Sequence, residues 1–142
     1  MPEGITFRFE VDGSDFTSAG QASVQVKKNL RQLGIDPDII RRVSIAMYEG
    51  EINMVIHADG GQAEVEVEPE QIVIRMADTG PGIPDVEQAM QEGYSTAGST
   101  ARELGFGAGM GLPNMKRYSD EMIIDTEVGK GTTVTIKIKI PQ

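Results

Sequence analysis

The sequence contains no cysteine. That removes disulfides, thiolate metal sites, cysteine nucleophiles and iron–sulfur clusters together, and it suits a reducing, cytoplasmic compartment. Histidine occurs once, as His57, which leaves too few ligands for a His-rich metal site or an H-E-x-x-H helix. No apolar run approaches the ~18 residues of a membrane span. The opening M-P-E-G-I-T-F-R-F-E has no basic segment followed by an apolar one, so no secretory signal is expected. Basic residues are in deficit, 13 against 22 acidic, for a net charge of −9. That balance disfavours nucleic acid and anionic membrane as partners and favours a soluble partner with a basic face.

What is present in excess is glycine, 17 of 142 residues, ten of them between Gly80 and Gly131. An excess confined to one region points to a local backbone purpose. The length suits one domain over residues 1–142, with a core that needs no covalent staples.

Periodicity sets the order of elements. Ile5, Phe7, Phe9 and Val11 alternate with polar residues, as in a half-buried strand. Val24, Val26, Leu30 and Leu33 suit a helix within Phe16–Leu33, closed by Gly34. Asp36-Pro37 supplies an N-cap and a first helical residue for a second helix reaching about Ala58, with Ile40, Val43, Met47, Met54 and Val55 as its core stripe. Strands are expected at Ala63–Val67 and Gln71–Ala77, the first with Glu64, Glu66 and Glu68 on a solvated face. A glycine-proline loop (Asp78–Pro84), a short helix (Asp85–Gln91) and the glycine-rich stretch Gly93–Gly111 follow. A structureless stretch of that length is uncommon in a compact domain and is often functional. A helix over Leu112–Tyr118 and strands over Met122–Glu127 and Thr132–Ile140 complete the chain. Segregated helices and strands predict an α+β, two-layer sandwich: a mixed, mostly antiparallel sheet with helices on one face.

Four segments carry residues suited to chemistry. On the second helix Glu49, Asn53 and His57 are spaced i, i+4, i+8 along one face. They form either a structural hydrogen-bonding stripe or a pair in which the amide oxygen is a hard magnesium ligand and the carboxylate a base. Asp78 stands where a strand meets D-T-G-P-G-I-P; Gly80 and Gly82 permit a flat ligand close to backbone, and a plain Asp-capped turn is the other reading. Gly105-Phe106-Gly107-Ala108-Gly109-Met110-Gly111-Leu112 has glycine at every second position before a helix, and reads either as a cradle of amides for phosphates or as a flexible linker. Gly129-Lys130-Gly131-Thr132 reads alone as a hairpin turn, with the Thr132 hydroxyl at a strand start. Neither a G-x-x-x-x-G-K-[ST] loop nor a G-x-G-x-x-G run is present.

In this order the segments resemble the Bergerat ATP-binding fold of the GHKL superfamily, which includes gyrase, a heat-shock chaperone, histidine kinases and MutL. The likeness covers about residues 40–140. No helix pair carrying a phospho-accepting histidine is present, so the chain is unlike a complete histidine kinase. The runs G-P-G-I-P-D-V-E-Q-A-M-Q-E-G-Y-S-T and G-A-G-M-G-L-P-N-M-K-R are similar to the anti-sigma-factor serine kinase group, above all the RsbT-type switch kinases.

The resemblance implies an ATP-dependent serine/threonine protein kinase that phosphorylates a small STAS-domain protein. The alternative it leaves open is a nucleotide-gated binding module with little or no transfer, acting as an anti-sigma factor or partner switch. It implies ATP and magnesium as cofactors and a STAS-domain protein or a sigma factor as partner; dimers are common in the group it resembles, and the sequence leaves monomer and homodimer both open. Glu49 is implied either as the general base or as the residue that orients the attacking hydroxyl, and Asn53 as the magnesium ligand through ATP. Asp78, with Gly80, Gly82, Ile83 and Thr132, would surround adenine. Gly105, Gly107, Gly109, Met110, Gly111 and Leu112 would form the lid over the triphosphate. His57 is either close to phosphate or a satisfied structural histidine. Related kinases carry an arginine just before the last lid glycines, where this chain has Gly107-Ala108; Arg102 and Lys116 are the candidate replacements.

Overall fold

The computed structural model describes residues 5–12, 20–58, 60–78, 80 and 111–141. Strand β1 spans Ile5–Asp12, followed by helices α1 (Gln21–Gln32) and α2 (Pro37–Ala58). Strands β2 (Gly60–Val67) and β3 (Gln71–Ala77), helix α3 (Gly111–Arg117), and strands β4 (Glu121–Glu127) and β5 (Gly131–Lys139) follow. The expected start of the first helix at Phe16, the Asp85–Gln91 helix, Gly82 to Pro84 and residues 93–110 lie outside the described residues.

The sheet order is β1-β2-β3-β5-β4. The mixed sheet expected from the sequence is corrected here: each of the four described pairings is antiparallel. Alternation along a strand reports which face is buried but not the direction of its neighbour. One row of paired residues crosses all five strands, Phe7–Val65–Ile74–Ile136–Met122, and the next is Phe9–Ala63–Met76–Val134–Ile124. Both rows are apolar and belong to or pack on one core, which the helices cover. On the opposite face Glu64 accepts from Arg8 at 3.0 Å and from Arg75 at 3.3 Å, so the glutamate row is solvated and partly paired.

The helix ends obey their local chemistry. Asp36 Oδ1 accepts the Asp38 amide at 2.8 Å, and Pro37 opens α2. Gly34 takes φ +75, and Ile35 N–H reaches back to the Leu30 carbonyl, a left-handed helix stop that favours glycine. The predicted stripe of Ile40, Val43, Met47, Met54 and Val55 is buried.

Close approaches then lock α2 onto the rest. A Cβ on Gly50 would strike Met76 Sδ of β3 and sit 3.2 Å from Met115 Cε of α3. A Cβ on Gly61 would strike the Ala77 carbonyl and lie 2.6 Å from Met54 Cε and 3.0 Å from Asp78 Cα. The second half of α2, the end of β3 and helix α3 are therefore in mutual contact. Arg42 adds a polar tie, donating to the Tyr118 carbonyl at 3.2 Å and pairing with Asp120 at 3.3 Å. Asp120 also accepts the Lys139 amide at 2.6 Å, and that bond, chiefly, holds its carboxyl below the usual range. Among the described residues no helix is long and apolar enough to cross a membrane.

Candidate functional site

Glu49 and Asn53 lie one turn apart on α2, and α3 packs over both. Asn114 Nδ2 donates to Glu49 Oε1 at 3.3 Å, and Asn53 Nδ2 approaches Met115 Sδ at 3.8 Å. Both residues are half-buried. Burial pushes the Glu49 carboxyl above its ordinary range, and the Asn114 bond draws it part of the way back. With its Nδ2 turned to sulfur, Asn53 keeps Oδ1 clear of any recorded donor among the described residues.

Asp78 follows β3 directly and is tied to the start of β5. Its amide donates to the Thr132 carbonyl at 2.9 Å. Its Oδ1 accepts the Thr132 amide at 3.2 Å and the Gly80 amide at 2.9 Å. The side chain is thus pinned by one oxygen, and among the described residues nothing donates to the other. Thr132 is buried, and its hydroxyl lies 2.8 Å from that of Thr126 on β4.

The structure therefore brings Glu49 and Asn53 together beneath α3, and Asp78, Gly80 and Thr132 together at the strand ends. Met54, Gly61 and Asp78 Cα join the two groups. Gly111 is the first residue of α3, and Leu112 packs on the core. Lys116 is exposed on α3. His57 belongs to α2, but its side chain is outside the described residues. Gly82, Ile83, Arg102, Gly105, Gly107, Gly109 and Met110 are also outside them.

Two residues without a role in the sequence reading matter here. Asn114 is the partner of Glu49; its signal was an amide side chain, a poor helix former, inside a short helix after the glycine run. Glu51 is 2% exposed and accepts the amides of Gly20 at 3.0 Å, Ala22 at 3.2 Å and Ser23 at 2.6 Å. Its signal was position: it falls four residues after Met47 on the apolar stripe, where a carboxylate needs donors.

A helix-covered antiparallel sheet, with an acidic side chain at a strand end and a Glu–Asn pair on the covering helix, defines a GHKL-type ATP-binding domain. Residues 38–142 match the histidine kinase-, DNA gyrase B- and HSP90-like ATPases, and the chain belongs to that family. It is 32% identical over 118 residues to the serine/threonine-protein kinase RsbT of Bacillus subtilis, covering 80% of this chain and 83% of that one. It is 35% identical over 124 residues to an anti-sigma F factor of Clostridium beijerinckii, covering 83% of each. A crystal structure of the RsbU and RsbW domains of a Mycobacterium tuberculosis protein superposes with a TM-score of 0.66 at 16% identity, over 97% of this chain and 33% of that one. At that identity the likeness is one of fold, and this chain spans a third of that longer protein.

Proposed function

We propose that this protein is an ATP-dependent serine/threonine protein kinase of the switch type, acting on a small STAS-domain-like regulatory protein. The observation that carries the reading is the pairing on α2 of a half-buried carboxylate, oriented by Asn114, with an amide oxygen left clear one turn later. The relative named as a serine/threonine-protein kinase supports the same reaction class.

The residues fit magnesium held through nucleotide. Among the described residues no group of three or more His, Cys, Asp or Glu could hold a metal alone. Magnesium commonly takes one or two protein ligands and completes its shell with water and phosphate oxygens. Asn53 Oδ1 would be that protein ligand, and the bound ion would neutralise charge developing on the phosphates. The second Asp78 oxygen would accept from the adenine amine. The amides of Gly105, Gly107, Gly109 and Gly111 would hold phosphate oxygens. Glu49 would take the proton from the substrate hydroxyl as that oxygen bonds to the γ-phosphorus and the bond to the β–γ bridging oxygen breaks, with ADP leaving.

The test is direct. Purified chain, γ-labelled ATP with magnesium and STAS-domain proteins are incubated, and label is expected on a serine or threonine of the STAS protein. Tight ATP binding without label transfer would overturn the kinase reading. It would support the second reading, a nucleotide-gated partner switch, which the relatives named as anti-sigma F factors favour.

Asp78→Asn isolates the adenine contact. Asparagine keeps an oxygen for the Gly80 and Thr132 amides but turns a donor toward the adenine amine. A hydrogen bond to a charged group contributes about 1.5–3 kcal/mol, so ADP affinity should fall roughly 10- to 150-fold with the melting temperature little changed. Calorimetry with magnesium present measures this, and unaltered affinity would remove Asp78 from the pocket.

A further inference from the structure

The outer side of the helical layer carries a feature that the nucleotide site does not use. Between the second half of α1 and the first half of α2 lies an open groove of about 530 Å³. Its floor and wall are apolar, from Ile35, Ile40 and Ile45. Its rim carries Lys27, Arg31 and Arg41, and no carboxylate lines it. Ser44 also lines it, and the Ser44 hydroxyl is buried without a hydrogen-bond partner among the described residues.

The charge of this region runs against that of the chain. Helix α1 holds Lys27, Lys28 and Arg31 and no acidic residue, in a protein whose net charge is −9. Arg41 is engaged, pairing with Asp38 at 3.1 Å and lying 5.7 Å over the Tyr118 ring. Lys27, Lys28 and Arg31 make no ion pair among the described residues. Val24, 55% exposed, stands three, four and seven residues before these cations, so one helix face presents an apolar contact followed by positive charge.

We propose that the α1–α2 groove is a docking surface for an acidic amphipathic helix of a partner protein. Apolar side chains spaced i, i+3/i+4 and i+7 would enter between Ile35, Ile40 and Ile45, and flanking carboxylates would meet Lys27 and Arg31. A free anion has no use for the apolar floor. A second copy of the chain brings a large like charge toward the first. An acidic partner is repelled by most of this protein's surface, so the local cationic rim would fix where and how it docks. The overall balance suggests a basic partner face; this groove assigns the opposite chemistry to one face of the helical layer.

The probe is a synthetic helical peptide of leucine and glutamate in heptad spacing, fluorescein-labelled, titrated into the full isotope-labelled chain. Saturable anisotropy is expected, with amide shifts concentrated in residues 24–45. Lys27→Glu with Arg31→Glu should weaken binding at least tenfold, and the same peptide with lysine for glutamate should then prefer the double variant. Circular dichroism checks its fold, and Lys27→Gln with Arg31→Gln replaces it if it fails to fold. Absence of saturable binding, or shifts that fall on Asp78 and Thr132 instead, would overturn the proposal. So would identical shifts from inorganic triphosphate alone, which would mark a simple anion site. A wild-type dimer that the charge reversal dissociates would also overturn it, because the groove would then be an interface between copies.

Discussion

Glu49→Gln should slow phosphoryl transfer by about 10²–10⁴-fold while leaving nucleotide binding nearly intact. Glutamine presents an oxygen to Asn114 in the place of Glu49 Oε1, so the local packing survives. What it loses is the ability to take a proton. Positioned general bases contribute typically about 10²–10⁴-fold, and the single-turnover rate should fall within that range. Affinity for ATP with magnesium should change by no more than about threefold, which is within ~0.7 kcal/mol. Rapid-quench measurement of labelled STAS-domain substrate reads the first quantity and calorimetry the second. Equal loss of both would mean that Glu49 holds nucleotide rather than acting on the hydroxyl.

The same residue makes a statement about pH. Burial raises the Glu49 carboxyl above the ordinary 4.5. A base must be ionised to act, so a raised value keeps a larger share protonated at any given acidic pH. The acid limb of the transfer rate should therefore lie above 4.5, and it should vanish from whatever residual rate Glu49→Gln retains. A limb at the ordinary glutamate position would contradict the half-buried setting.

The largest effect on stability is expected at Glu51. This carboxylate is buried in the α2 stripe, and both of its oxygens are used at the start of α1. Helix α1 has no cap of its own: Gly20, at φ +97, provides no side chain. A Cβ there would lie 2.7 Å from the Tyr48 ring on a backbone with positive φ, so a capping serine or aspartate would be strained as well. Glu51 replaces that cap from another helix, adding negative charge at the positive end of the α1 dipole. Glu51→Ala leaves three amides without their acceptor. Each unsatisfied buried group costs about 1–3 kcal/mol, and with partial relaxation the sum should be on the order of 3–5 kcal/mol. For a chain of this length that corresponds to a fall of roughly 10–20 °C in melting temperature. Amide exchange at Ala22 and Ser23 should accelerate ahead of the core strands. A melting point within ~2 °C of the parent would show that α1 does not depend on this contact.

The elements of the fold were legible because burial writes a period into the sequence. The β5 run T-T-V-T-I-K-I-K-I alternates, and in the structure Thr132, Val134, Ile136 and Ile138 are buried. The α2 stripe from Ile40 to Val55 was read from helical spacing for the same reason. Asp36-Pro37 and Gly34 marked their helix ends through local stereochemistry alone. Of the candidate site, the Glu49–Asn53 spacing needed only the helical repeat, and Asp78 only its place between a strand and a glycine turn.

What the sequence by itself determined were quantities that depend on near neighbours: where helices and strands run, which side of each is apolar, and which residue types stand at the ends. Tertiary structure alone decided the antiparallel order β1-β2-β3-β5-β4, the hold of Asn114 on Glu49 across 65 positions, and that of Asp78 on Thr132 across 54. It also decided that a glutamate on an apolar stripe would cap another helix 28 to 31 residues away. The reason is physical. A period of 2 or 3.6 residues is imposed by backbone geometry within a segment. The choice of partner for a buried carboxylate or amide is made only when separate segments leave water together and each must satisfy its polar groups on the other.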